Sequence, residues 1–247
     1  MPDFPNSEIY ASQYDSILAK SLVEVDKEIS VLVKNINGLK SRQEKMSYLL
    51  SNRQAILDRL SLSATDSYNE ATTGAFKKSI VAVESEFAGI KAPFLNTDLD
   101  AFKMIRRDAL ETLQAHATLD GITVFQELMN YTLTGNIDTL QAGLLGNLDK
   151  TAVTRYGQTI TATSIDVFGR TVGGTKAERA GVEMFEYVGP PPERDFCSMI
   201  FRTGTIMSRK EIDELPTTGY RGIAGDPFYW GGGWNCRHRW AVVFEGK

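Results

Sequence analysis

Cysteine and histidine are both scarce in this 247-residue chain, with two of each. Two cysteines exclude a disulfide-built scaffold and fit folding in a reducing cytosol. A basic surplus is also lacking: 27 Lys and Arg stand against 31 Asp and Glu, a net charge of −4. Proteins that grip duplex nucleic acid over a broad face need a large positive excess, so nucleic-acid contact is expected to be incidental at most. No apolar run approaches the ~20 residues that span a bilayer, and no membrane is expected. The opening MPDFPNSEIYASQYDS has neither a charged n-region nor an apolar core, so it does not read as a signal peptide. No repeat of fixed period is visible. What remains is 42% hydrophobic and 23% charged residues, the composition of a globular protein.

Glycine is scarce only in the front. Residues 1–120 hold three of the 21 glycines, no tryptophan and no cysteine; all three tryptophans and five of the eight prolines lie after residue 189. This split predicts an α+β protein: a mainly α-helical N-terminal part with long helices (1–150), then a small α+β C-terminal module (151–247). Val25, Ile29, Leu32, Ile36, Leu39, Met46, Leu50, Leu57 and Leu60 recur on steps of three and four, with Gln43 and Arg53 in two of the slots. Such a seam predicts one long, coiled-coil-like helix, kinked at most, because the phase is kept across Gly38. It serves either a bundle core or contact with neighbouring subunits. A second helix carries Phe76, Ile80, Val83, Phe87 and Ile90, and Pro93 follows its end. A third starts near Thr97 or Asp98 and carries Leu99, Phe102, Ile105, Leu110 and Leu113. Shorter helices are expected at about 122–133 and 137–148, and a longer one from Thr151 to Ala180, with Gly181 at its C′ position.

Beyond Gly181 the period changes. Val182–Val188 and Trp240–Phe244 read as strands of one sheet, and Thr205–Met207 as a short third strand. Glu193–Phe201 reads as a short helix, and Ser208 as the cap of another over Arg209–Leu215.

The densest chemical constellation is Cys197, Cys236 and His238, with Asp195 nearby. Soft and borderline ligands of this kind suit zinc, with Asp195 or a residue from elsewhere as the fourth. A Cys197–Cys236 disulfide and two simply packed thiols are the alternatives; each would hold the chain's end against the Cys197 segment. A catalytic Cys197–His238–Asp195 arrangement is the enzymatic reading. His116 falls on a helix and reads as structural. Gly231-Gly232-Gly233 lacks the Gly-Lys-Ser/Thr of a phosphate loop and reads as backbone freedom beside Tyr229, Trp230 and Trp234. Arg237 and Arg239 are expected to pair with local acids, since Glu193 onward has eight basic and seven acidic residues.

The string Gly231-Gly232-Gly233-Trp234-Asn235-Cys236-Arg237-His238-Arg239-Trp240 resembles the Gly-Gly-aromatic-Asn-Cys-Arg-His signature closing phage minor capsid proteins. It is similar, too, to the His-Pro-Asn-Cys-Arg-Cys ending of the phage Mu F-like head morphogenesis domain. Upstream, the family order of Thr-rich helix, strand ending in an aromatic and Gly, Arg-x-x-Cys, glycine and short helix is matched by Thr159–Ser164, Val182–Gly189, Arg194 to Cys197, Gly204 and Ser208–Leu215. The motif positions are therefore Arg194, Cys197, Gly232, Gly233, Asn235, Cys236, Arg237 and His238. A proline run stands where the family has an aspartate before Arg-x-x-Cys, and His238 stands where the Mu F-like form has its last cysteine. The resemblance covers about 151–244. It implies a non-enzymatic structural protein of a tailed-phage virion, assembled in the host cytoplasm. Such a protein is a minor head protein in few copies, partnered by the portal and other head or neck proteins and used in head assembly or genome delivery. A head–tail connector ring and a Cys/His enzyme or toxin module are the competing expectations.

Overall fold

The computed structural model describes residues 4–135, 151–220, 223 and 225–244. Among them, five helices precede the first strand: α1 (Ser7–Gly38), α2 (Arg42–Ser51), α3 (Arg53–Glu86), α4 (Asn96–Thr134) and α5 (Ala152–Arg179). A small sheet with short helices follows: β1 (Met184–Val188), α6 (Asp195–Thr203), β2 (Ile206–Ser208), α7 (Arg209–Asp213), α8 (Pro227–Trp230) and β3 (Arg239–Val242). The α+β class expected from composition is the class found. The helix expected at 137–148 lies outside the described residues.

The expected continuity across Gly38 is not found. Ser41 restarts the helix with a capping box: its hydroxyl accepts the Glu44 N–H, and the Glu44 carboxylate accepts the Ser41 N–H. That local device outranks an apolar phase that either side can satisfy alone. Asn52 makes a second break, its backbone and side-chain amides both donating to the Tyr48 carbonyl. The rotational phase resets, so Leu49 is fully buried and its neighbour Leu50 is exposed. Val25, Ile29, Ile36, Leu57 and Leu60 are buried as the seam requires.

The helices expected as separate at 76–90 and 122–133 are instead the ends of α3 and α4. The Ser/Thr-rich stretch inside α3 bonds its hydroxyls back one turn: Ser63 to the Arg59 carbonyl, Ser67 to Ser63, Ser79 to Ala75. Buried hydroxyls are thereby satisfied within the helix.

The described chain divides into two compact units. One comprises residues 1–8, 72–108 and 161–247; the other comprises 9–71 and 109–160. In the second unit Gly121 of α4 packs directly on Leu57 of α3, where a Cβ would stand 2.7 Å from the leucine side chain. The α5 N-terminus in that unit is held by Asp120, whose two carboxylate oxygens accept the Ala152 and Val153 N–H groups at 2.8 Å each. In the first unit Phe168 packs on Phe76 and Phe102, with ring centroids 4.6 and 5.6 Å away.

The end of α5 positions everything beyond it. Gly181 takes the left-handed conformation (φ 67°). Its N–H donates to the Glu178 carbonyl and that of Val182 to the Ala177 carbonyl, a Schellman stop. The chain then enters β1, the central strand of the order β2-β1-β3, antiparallel to both neighbours. Phe185 and Tyr187 point to the buried face and Glu186 to solvent. Trp240 lies opposite Tyr187 in the register. No helix among the described residues is long and apolar enough to cross a membrane.

Candidate functional site

Three pieces of chain meet beneath the sheet in the first unit. Tyr187 comes from β1, Cys197 from the first turn of α6, and Cys236 and His238 from the segment entering β3. The phenol oxygen of Tyr187 is 3.3 Å from Cys197 Sγ and 3.7 Å from Cys236 Sγ. The two sulfurs are 3.7 Å apart, and His238 Nδ1 is 3.7 Å from Cys236 Sγ. Both cysteines are free thiols and, like His238, buried.

Local backbone chemistry delivers these groups. Gly231 and Gly233 adopt positive φ (55° and 89°), and so does Asn235 (56°). The resulting tight loop turns the Gly232 N–H onto Cys236 Sγ at 3.0 Å. A Cβ on Gly232 would strike Cys197 Sγ, so glycine is what lets the loop lie on both sulfurs. Asn235 is fixed by its N–H to the Thr163 hydroxyl. Arg170 of α5, buried, secures the same segment by donating to the Tyr229, Cys236 and His238 carbonyls.

The hydrogen bond with Cys197 holds the Cys236 thiol well below the usual thiol range, with the Arg170 charge and the Gly232 amide assisting against burial. The same bond, together with burial, pushes Cys197 up. Burial and the two sulfurs raise Tyr187.

A cavity of about 760 Å³ opens beside this cluster. Tyr187, His238, Asp166, Arg170 and Glu186 are among its lining residues, but neither cysteine is. Asp166 accepts a hydrogen bond from Ser7 (2.9 Å), and burial pushes its carboxyl up to about 7 against the pull of Arg170. A nucleophile-and-base pair needs its nucleophile to face the substrate space. Here the sulfurs face each other.

The sequence-derived candidates sort clearly. Cys197, Cys236 and His238 come together, with Gly232 and Gly233 packed in the loop around them. Arg194 is the N-cap residue of α6. Asp195 is exposed on the first turn of α6 and stands outside the cluster. Arg237 pairs with Glu8 (2.9 Å) and Glu193 (3.8 Å), and Arg239 with Glu86 (3.3 Å), so the expected pairing with acids is found but only Glu193 is local in sequence. His116 is elsewhere, stacked on Tyr156. Tyr187 and Arg170 were not legible as site residues. Tyr187 carried only the strand alternation, while Arg170, within a Thr/Gly-rich helix, carried no signal.

No family model, no curated protein and no solved structure matches the chain.

Proposed function

We propose that this chain is a structural protein of a tailed-phage virion. It is a minor head protein present in few copies, bound to the portal, and acting in head assembly or genome delivery. The observation that carries the reading is the fate of the motif behind the resemblance. Its sulfurs and glycines are buried in contact with one another and with the imidazole, so they hold β3 in place, and neither sulfur lines the adjoining cavity, which His238 and Arg237 reach instead. A motif whose role is internal closure fits an assembly protein better than an enzyme. The long helices, and an exposed apolar fringe that includes Val31, Leu50 and Leu62, fit packing among other subunits.

The test is quantitative mass spectrometry and cryo-electron microscopy of purified particles from the phage or prophage that encodes the chain. Expected is this protein in particles at few copies, with density at the portal vertex inside the head. Density in a ring beneath the portal would assign it to the head–tail connector instead. Particles that lack the chain, with normal heads forming when its gene is deleted, would overturn both.

A further inference from the structure

We infer that Cys197, Cys236, His238 and Tyr187 form a four-cornered structural zinc site, an assignment that does not rest on the virion reading. Around a tetrahedral zinc, thiolates at ~2.3 Å from the ion stand ~3.8 Å apart, a thiolate and an imidazole nitrogen ~3.6 Å, and a thiolate and an oxygen ~3.5 Å. The observed separations are 3.7 Å between the sulfurs, 3.7 Å from Cys236 Sγ to His238 Nδ1, and 3.3 and 3.7 Å from the Tyr187 oxygen to the two sulfurs. The ligating atoms of the two cysteines and the histidine all lie within 4.8 Å of one another. Four of the six edges of one coordination sphere thus already stand close to their tetrahedral lengths.

The surroundings are those of a metal site. His238 Nε2 donates to the Pro190 carbonyl at 2.7 Å. This outer-shell bond fixes the tautomer and leaves the Nδ1 lone pair aimed at the sulfurs. The Gly232 N–H points at Cys236 Sγ, a contact that suits a thiolate and is poorly used by a disulfide. Two thiolates balance a dication, so the neutral phenol is needed only as an oxygen donor and the buried cluster carries no net charge. Zinc is favoured over calcium or magnesium because two sulfurs and an imidazole are soft and borderline ligands. With all four positions taken by protein side chains, its role is structural: it ties β1, α6 and the entry to β3 together at one point.

The experiment uses the full chain, purified without chelator and kept reduced by a phosphine. Elemental analysis is expected to find one zinc per chain, and exchange with cobalt to give the visible bands of a tetrahedral thiolate site. Cys197→Ser and Cys236→Ser should each lose zinc, whereas His238→Cys, which keeps a soft donor, should retain it and deepen the thiolate charge-transfer band. Tyr187→Phe should keep zinc but weaken it about 10-fold and shift the cobalt bands. Should the cysteine variants fail to fold, competition of the native chain against a chromophoric chelator gives the affinity without them. Reduced native protein that takes up neither zinc nor cobalt, or a Cys197–Cys236 disulfide recovered under non-reducing conditions, overturns the site. Unchanged cobalt bands in Tyr187→Phe overturn the fourth corner.

Discussion

Gly189 lies flat against His238: a Cβ on it would fall 2.5 Å from the imidazole Cδ2 and 3.0 Å from the histidine Cα. The closeness has a purpose, since Pro190, the next residue, presents the carbonyl that takes the His238 Nε2 proton. Gly189→Ala should therefore separate β1 from β3 at this point and cost about 1–3 kcal/mol. Urea unfolding of variant and native chains measures it, and a change below the error of the midpoint would show that the contact yields freely.

Asp166 gives the protein a pH dependence of predictable sign. Its folded carboxyl titrates near 7, raised by burial and opposed by Arg170, Ser7 and Arg237, while Cys236 adds to the rise. The unfolded carboxyl titrates near ~3.9. Below about pH 4 both states hold the proton and the group is neutral to stability; between about pH 4 and 7 only the folded state holds it. Its contribution therefore declines as pH rises through that window and levels off above it. Asp166→Asn should remove that part of the decline, seen as a flatter profile of unfolding midpoint between pH 5 and 8. Parallel profiles would disprove the assignment.

Asp120 caps a helix to which it is not adjacent in sequence. Its two oxygens take the Ala152 and Val153 amides, so Asp120→Ala leaves two helix-terminal donors without a partner at a site only 8% exposed. The loss should be about 1–3 kcal/mol, with Asp120→Asn intermediate because it keeps one acceptor. Thermal unfolding of the three proteins supplies the order.

Lys176 is buried, with its ammonium 2.8 and 2.9 Å from the Glu84 oxygens and 4.8 Å above the Phe94 ring. Removing the acid alone strands a buried cation, whereas replacing the lysine with an apolar residue of similar length removes the need for a partner. Glu84→Ala should lose on the order of 1–3 kcal/mol, and Lys176→Met less or nothing. Equal losses would show that the lysine stem and not its charge matters.

What the sequence made legible was whatever it encodes locally. Gly181 as a helix stop, Ser208 as a cap and the alternation of Phe185 and Tyr187 all depend on neighbours within a few residues, and all appear where expected. The convergence of Cys197, Cys236 and His238 was also readable, because two scarce residue types gathered in one motif. Failures came where distant partners decide. Nothing near Arg170 announces that three carbonyls some 60 residues later will claim its guanidinium. The 61–75 stretch of α3 has only a thin apolar stripe of mostly small residues, Ala64, Tyr68, Ala71 and Ala75, and its complete burial is decided by partners distant in sequence. At Gly38 the apolar phase runs on through a loop, and the capping box at Ser41, itself a local signal, decides where the helix restarts.

The first unit draws on residues 1–8 as well as on 161–247. Phe4 lies under the Arg239 guanidinium, Ser7 bonds to Asp166, and Glu8 pairs with Arg237. During synthesis at roughly 5–20 residues per second, those early residues leave the ribosome long before their partners exist. They must wait until the segment that carries Asp166, Arg237 and Arg239 has been made, so the unit closes after the helices encoded between have formed. Substitutions that remove the Phe4, Ser7 and Glu8 contacts should therefore disturb the region of His238, far away in sequence, before they disturb any helix between.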